Sequence, residues 1–297
     1  VITEDGIDPI PRHECGLIEL NDKLYLLGGR GIHPVEVYDP KTNVWVRKAA
    51  PPLEIHHFQP ITYNGYIIII GGMTGPYPNE VPIPNMMIYN PDKDLWIVGD
   101  SIPASRLRSA GGTVVYNEKF YWIGGLKNGH IGDHKDYFDE YDPISRKWRI
   151  MPDAPRARDH FEAVVANNEM YVAGGRRSKA PYGTFTVVIP EIDVFDFSMG
   201  IWKTLDQKLP TPRSGTSSLI WKDYLLIAGG EDPFGFYASP IVEGLHLKEY
   251  YWKTFPKWPI GRHGAGLITY NNKLYLTCGK RAKKEGTDVG DLWVFDN

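Results

Sequence analysis

Across residues 16–29, "GLIELNDKLYLLGG", two apolar runs flank an Asn-Asp pair and end on two glycines. The same order returns five more times along the chain, and it predicts short strands joined by tight turns. The polar breaks are Asn21-Asp22, Asn64-Gly65, Asn117-Glu118, Asn167-Asn168, Lys222-Asp223 and Asn271-Asn272. Asn and Gly accept the positive φ that a two-residue hairpin needs. Further on in the units, "YDPKTN", "YNPDKD", "YDPISR" and "FDFSMG" separate a third strand from a fourth, again with turn-forming residues. The glycine doublets begin at Gly28, Gly71, Gly124, Gly174 and Gly229, with Cys278-Gly279 as a degenerate sixth. They end strand two, where a missing Cβ permits unusual dihedrals and close packing. Trp45, Trp96, Trp148, Trp202 and Trp252 follow on the fourth strands, placed to pack between neighbouring units.

A period near 50 residues with Gly-Gly and a later Trp resembles the kelch repeat, and all six units carry most of that motif over nearly the whole chain. Six such units predict an all-β fold, a six-bladed β-propeller with four antiparallel strands per blade, and residues 1–297 as one domain. The sixth unit stops at "DLWVFDN", where Phe295-Asp296 matches Tyr38-Asp39 at the turn after strand three. Its fourth strand must come from elsewhere. Counting back from Arg12 by the spacing between each strand-four Trp and the next arginine position lands on Val1 or Ile2. Residues 1–9 are therefore expected to complete the blade formed by residues 262–297, covering an edge that would otherwise template aggregation.

In an up-and-down blade the connections after strands two and four emerge on one face. That face carries "MTGPYPNEVPIPN", "LKNGHIGDHKDY" and "RRSKAPYGTFTVVIP", and long loops on a rigid scaffold are where function usually sits. Sixteen residues before each doublet stand Arg12, Ile55, Arg108, Arg158, Arg213 and Arg262. Strand one is innermost in a propeller, so the five arginines are expected to crowd the mouth of the central channel with Arg30, Arg176, Arg177 and Lys280. The planar guanidinium fork suits carboxylates, which makes Arg12, Arg108, Arg158, Arg213, Arg262 and Arg176, with His57, candidate ligand-binding residues. The next position reads His13, His56, Ser109, Asp159, Ser214, His263, and the one after it Glu14, His57, Ala110, His160, Gly215, Gly264. His13, His56 and His263 come from units one, two and six, contiguous once the ring closes, and are the candidate ligands for Cu or Zn. Glu231, directly after its doublet, and His160 are the candidate acid/base pair. Tyr77, Tyr182, Phe234, Phe236 and Tyr237 lie in the long loops, where rings can stack on a sugar or a peptide.

Composition narrows the classes. The 297 residues hold 33 Lys and Arg against 36 Asp and Glu, a net charge of −3; nothing here favours nucleic acid, and any basic site is local. No apolar run approaches the roughly 20 residues needed to cross a bilayer, and residues 1–20 lack the order of a signal peptide. Cys15 and Cys278 are the only cysteines, too few for a disulfide framework, and register puts them in neighbouring blades on different strands. No phosphate-binding Gly-rich loop, nucleophile elbow or Cys-x-x-Cys occurs.

The resemblance implies several functions. Kelch propellers include adaptors that bind acidic peptides through an arginine-lined mouth, secreted glycan-associated proteins, bacterial sialic-acid mutarotases and copper-radical oxidases typified by galactose oxidase. With no BTB or F-box segment, the chain looks like a stand-alone bacterial kelch protein, which favours a periplasmic or secreted setting. Six units depart from the seven blades of the oxidases. The mutarotases are similar in size, six blades and N-terminal closure; their catalytic glutamate corresponds to Glu231, but the arginine expected downstream is absent from "EDPFGFY". Fold alone does not fix function. The leading expectation is a binding propeller for a carbohydrate or other small acidic or polyhydroxylated ligand at the Arg/His mouth, with no resident cofactor. The alternatives are a sugar-processing enzyme in the same pit, mutarotase-like or dependent on Cu or Zn at the His cluster, and a protein-interaction adaptor for an acidic peptide. The sequence leaves catalysis open.

Overall fold

The tight turns carry the backbone they were read to need. In the computed structural model, which describes residues 8–179, 187–233, 237–281 and 286–296, Asn21 and Asp22 have φ of 52° and 62°, Asn64 and Gly65 of 48° and 80°, and Asn271 and Asn272 of 48° and 58°. Each turn closes an antiparallel pair, the first with Leu20 opposite Lys23 and Cys15 opposite Gly28. Two further strands extend each pair. Five four-stranded sheets result, and a sixth holds three described strands, Gly266–Tyr270, Lys273–Thr277 and Leu292–Phe295.

The innermost strands, Cys15–Leu20, Pro60–Tyr63, Gly112–Tyr116, Ala163–Ala166, Ser217–Trp221 and Gly266–Tyr270, flank one another in chain order, and the last flanks the first. The chain is a six-bladed β-propeller. Two residues past each arginine position the backbone turns left-handed, at Glu14, His57, Ala110, His160, Gly215 and Gly264, with φ from 55° to 62°. These six residues close a ring of main-chain hydrogen bonds around the axis. The N–H of Glu14 donates to Gly264 (2.8 Å), His57 to Glu14 (3.1 Å), Ala110 to His57 (3.2 Å), His160 to Ala110 (2.9 Å), Gly215 to His160 (2.8 Å) and Gly264 to Gly215 (3.2 Å). Residues 1–7, expected to supply the last blade's fourth strand, lie outside the described residues; Pro9 packs against Gly290 of that blade.

The five repeated arginines are corrected from mouth-lining groups to structural ones. Each is buried and runs into its own blade, where it bonds the carbonyl of the first doublet residue and meets a carboxylate on strand three or, in the last blade, directly before it. The ion pairs are Arg12–Glu36 (2.6 Å), Arg108–Asp139 (2.7 Å), Arg158–Asp193 (2.5 Å), Arg213–Glu243 (2.6 Å) and Arg262–Asp291 (2.6 Å). Bonds to Gly28 (3.1 Å), Gly174 (2.8 Å), Gly229 (2.7 Å) and Cys278 (2.9 Å) tie the same side chains to strand two, and Arg108 bonds Gly124 likewise. A guanidinium cannot shed its charge when buried, so a carboxylate and carbonyls must satisfy it. Blade two is the exception that shows the rule: Ile55 replaces the arginine, Met87 stands on strand three two residues before Tyr89 as Glu36 does before Tyr38, and both are buried in one apolar cluster.

Between blades the core is apolar and aromatic. Trp96, Trp148 and Trp202 donate Nε1–H to Ala49, Ser101 and Pro152 of the preceding unit, at 3.2, 3.2 and 2.8 Å. Cys15 and Cys278 are free thiols buried in the cluster that joins the first and last blades. No helix among the described residues is long and apolar enough to cross a membrane.

Candidate functional site

Two residues past the start of each doublet the chain bridges back to the residue that follows the arginine position. The N–H of Arg30 donates to His13 (3.2 Å), Leu126 to Ser109 (2.9 Å), Arg176 to Asp159 (3.0 Å), Glu231 to Ser214 (2.7 Å) and Lys280 to His263 (3.0 Å). This lattice sets a second tier above the main-chain ring, on the long-loop face. Blades one, four, five and six present Arg30, Arg176, Glu231 and Lys280 there. Blades two and three present Met73 and Leu126, which pack with Ala110. Two small hairpins, Met73–Thr74 with Val81–Pro82 and Leu126–Asn128 with Gly132–His134, extend from those blades. They bring Glu80, Tyr77 and His130 to the axis, with the His130 N–H held by Pro78 (3.0 Å).

The result is a pit of about 300 Å³ lined by His13, Glu14, Arg30, His57, Tyr77, His130, Arg176, Glu231, His263 and Lys280. Below it a channel of about 50 Å³ continues past His160 and Glu162. Two of the pit's cations are already paired: Arg30 with Glu80 at 2.5 Å, and Arg176 with Glu231. Lys280 has no carboxylate within 4 Å among the described residues, though the Asp288 charge is felt from nearby. Glu231 lies 3.4 Å from His263, and Glu14 3.5 Å from His57 and 3.9 Å from His263.

Burial would raise the pKa of Glu231, but His263 and Arg176 more than offset it and hold the carboxyl at about 2. Glu14 is lowered for the same reason, burial being outweighed by His263, His160 and His13. Burial lowers His56 and His130 to about 4 each and also depresses His57 and His263. At neutral pH the pit therefore offers ionised carboxylates, neutral imidazoles and permanent cations side by side.

The expected metal set is also corrected. His13 and His263 meet edge to face with ring centroids 5.9 Å apart, but His56 turns aside, its Nδ1 2.5 Å from Nδ1 of His57. The histidines that converge among the described residues are His57, His130 and His160, with one ring nitrogen of each within 4.8 Å of the others. Of the expected ligand-binding residues, His57 and Arg176 line the pit, as does Glu231 of the acid/base pair; His160 sits beneath it. Arg177 is exposed and bonds the Ala157 carbonyl. Tyr182, Phe234 and Phe236 lie outside the described residues, and Tyr237 is exposed. Sequence reasoning singled out neither Glu80 nor His130, which lie within long loops away from the repeating arginine and post-doublet positions.

A family model described as the KLHDC2/KLHL20/DRC7 Kelch-repeats domain matches residues 111–297, and a Kelch motif matches residues 11–52. The chain belongs to the kelch-repeat family. Kelch-like protein terF of Aspergillus terreus is 25% identical over 299 residues, covering 94% of this kelch chain and 63% of that protein. Kelch-like protein 23 of Homo sapiens is 24% identical, covering 92% and 46%, and Kelch repeat-containing protein At3g27220 of Arabidopsis thaliana is 23% identical, covering 96% and 73%. The chain thus spans less than two thirds of the length of the first two relatives. A solved structure titled "Structure of YjhT" superposes with a TM-score of 0.81 at 18% identity, covering 97% of this chain and 96% of that one; at this identity the likeness shows the fold.

Proposed function

We propose that this kelch propeller binds a small acidic, polyhydroxylated molecule of the acidic-monosaccharide class in the long-loop pit. The observation that carries the reading is Lys280, a lining cation without a described carboxylate in ion-pair range, set beside ionised Glu14 and Glu231. A ligand carboxylate fits Lys280, sugar hydroxyls donate to the two glutamates, and the half-exposed Tyr77 ring supplies a stacking face. A volume near 300 Å³ is at the small end for ligand pockets, which favours a monosaccharide over a longer chain. An extended acidic peptide fits less well, because it calls for several unpaired cations along a surface, and Arg30 and Arg176 each already hold a carboxylate.

Titration calorimetry of uronic and sialic acids against their neutral counterparts tests the reading. Acidic sugars bind, more tightly at low salt, and Lys280→Ala weakens them by about 10- to 100-fold, as expected for a lost charged hydrogen bond of roughly 1.5–3 kcal/mol. Absence of binding across the panel, or binding indifferent to Lys280→Ala, overturns it.

The Glu231–His263 contact at 3.4 Å supports a second reading, a sugar-processing enzyme in the same pit. Glu231, ionised, serves as the proton acceptor and His263 as its partner. Acceleration of anomer exchange in a bound sugar, followed by NMR and lost in Glu231→Gln, separates catalysis from binding alone.

A further inference from the structure

The contact between His130 and His160 constrains where their protons lie. Nδ1 of His130 lies 3.0 Å from Glu80, and Nδ1 of His160 lies 2.6 Å from Asp159. Asp159 also accepts the Ser178 N–H (2.9 Å) and hydroxyl (2.6 Å), and Glu80 accepts from Arg30 (2.5 Å). Both carboxylates are thus acceptors, which places the imidazole proton on Nδ1 of each ring. In the neutral rings each Nε2 keeps a bare lone pair, yet the two Nε2 atoms stand 3.0 Å apart. Two acceptors at that distance repel unless a cation joins them.

The third ring comes from blade two. His57 is buried, its ring centroid 4.8 Å from that of His160 and 5.1 Å from that of His130, and its Nδ1 is engaged by His56 at 2.5 Å. Glu14, Glu80, Asp159 and Glu231 surround the group, against the two buried or half-buried cations Arg30 and Arg176. The five repeated arginines, whose like charge would oppose a cation here, point away into the blades.

We propose that His57, His130 and His160 form a metal site for a divalent first-row ion of the Zn²⁺ or Cu²⁺ kind, with its remaining position facing the pit. Imidazole donors select such ions over Mg²⁺ or Ca²⁺. Carboxylates on the far nitrogens of two ligands orient the rings and raise their basicity, as outer partners of histidine sites do. Metal–nitrogen bonds of about 2.0–2.1 Å in a tetrahedral site set the donors about 3.4 Å apart. His130 and His160 are close to that spacing, and His57 moves inward by about an ångström to join them. The site goes beyond the acidic-sugar reading, and its test uses no sugar, so the two fail separately.

The test uses untagged protein stripped with a chelator and dialysed, then titrated with Co²⁺ and with Zn²⁺. One ion per chain is expected, with the visible d–d bands of a four-coordinate Co²⁺ site and a rise in melting temperature that follows ion concentration. His130→Ala and His160→Ala abolish the bands, whereas His13→Ala and His263→Ala keep them. Glu80→Gln retains all three ligands and weakens affinity by about 10- to 100-fold, which keeps the test decisive should an alanine variant fail to fold. Wild-type protein that takes up no ion, or an ion whose binding ignores His57, His130 and His160, overturns the site.

Discussion

Glu162 shows what one carboxyl does in a narrow channel. It is partly exposed, but only to the channel of about 50 Å³ below the pit, and its Oε2 accepts the Ser218 N–H at 2.6 Å. The surrounding protein dominates, and burial pushes its pKa up to about 8, with the Ser218 bond working the other way. The folded protein therefore holds a proton that the unfolded chain releases near pH 4.5, so stability falls as pH rises from about 4.5 to 8 and levels off above. Gln59, at the equivalent position of blade two, performs the same bridging without a charge, accepting the N–H groups of Thr113 and Ala163 at 2.9 Å each. Glu162→Gln is expected to keep the Ser218 bond and flatten that pH dependence, so that melting temperatures at pH 5.5 and 8.5 converge and the variant is the more stable protein at pH 8.5. A wild-type stability that rises between those pH values contradicts this account.

Within a blade, the unit of cohesion is the arginine–carboxylate pair that joins strands one and three through the doublet carbonyl. Blade two replaces both partners at once, with Ile55 and Met87. Breaking a buried pair leaves an uncompensated charge, whereas replacing both partners with apolar groups is often neutral. Arg213→Ile is thus expected to destabilise by about 3–5 kcal/mol, and adding Glu243→Met to recover most of the loss, as read by denaturant melts; a double variant no better than the single one contradicts the pairing. The arginine periodicity was legible, but its role was not, because the partners sit at varying distances past the doublets, at Glu36, Asp139, Asp193, Glu243 and Asp291. The coincidence of Ile55 with Met87 was the available signal. The strands and hairpin turns were readable throughout, since each depends on neighbours in sequence. His130 and Glu80 were not, because they reach the axis through loops that obey no repeat, and only the fold of those loops over Met73 and Leu126 brings them beside His57.

For the whole molecule, closure among the described residues runs through the axis. Six left-handed residues hand one hydrogen bond to the next until Gly264 and Glu14 complete the circle, so side chains from six blades share one fixed geometry. That ring holds His13, His57, Glu231 and Lys280 from separate blades around one pit on the long-loop face. Occupation of this pit by an acidic monosaccharide is read out by following the imidazole resonances of labelled protein during titration with such a sugar. His246 ends the third strand of blade five, Val242–His246, where a short turn closes the opposite face, and serves as the internal control. Saturable shifts at His13, His57, His130 and His263, with His246 unmoved, are the predicted result. Shifts confined to His246, or none at the four pit histidines while the sugar binds, would place the ligand elsewhere and contradict the account.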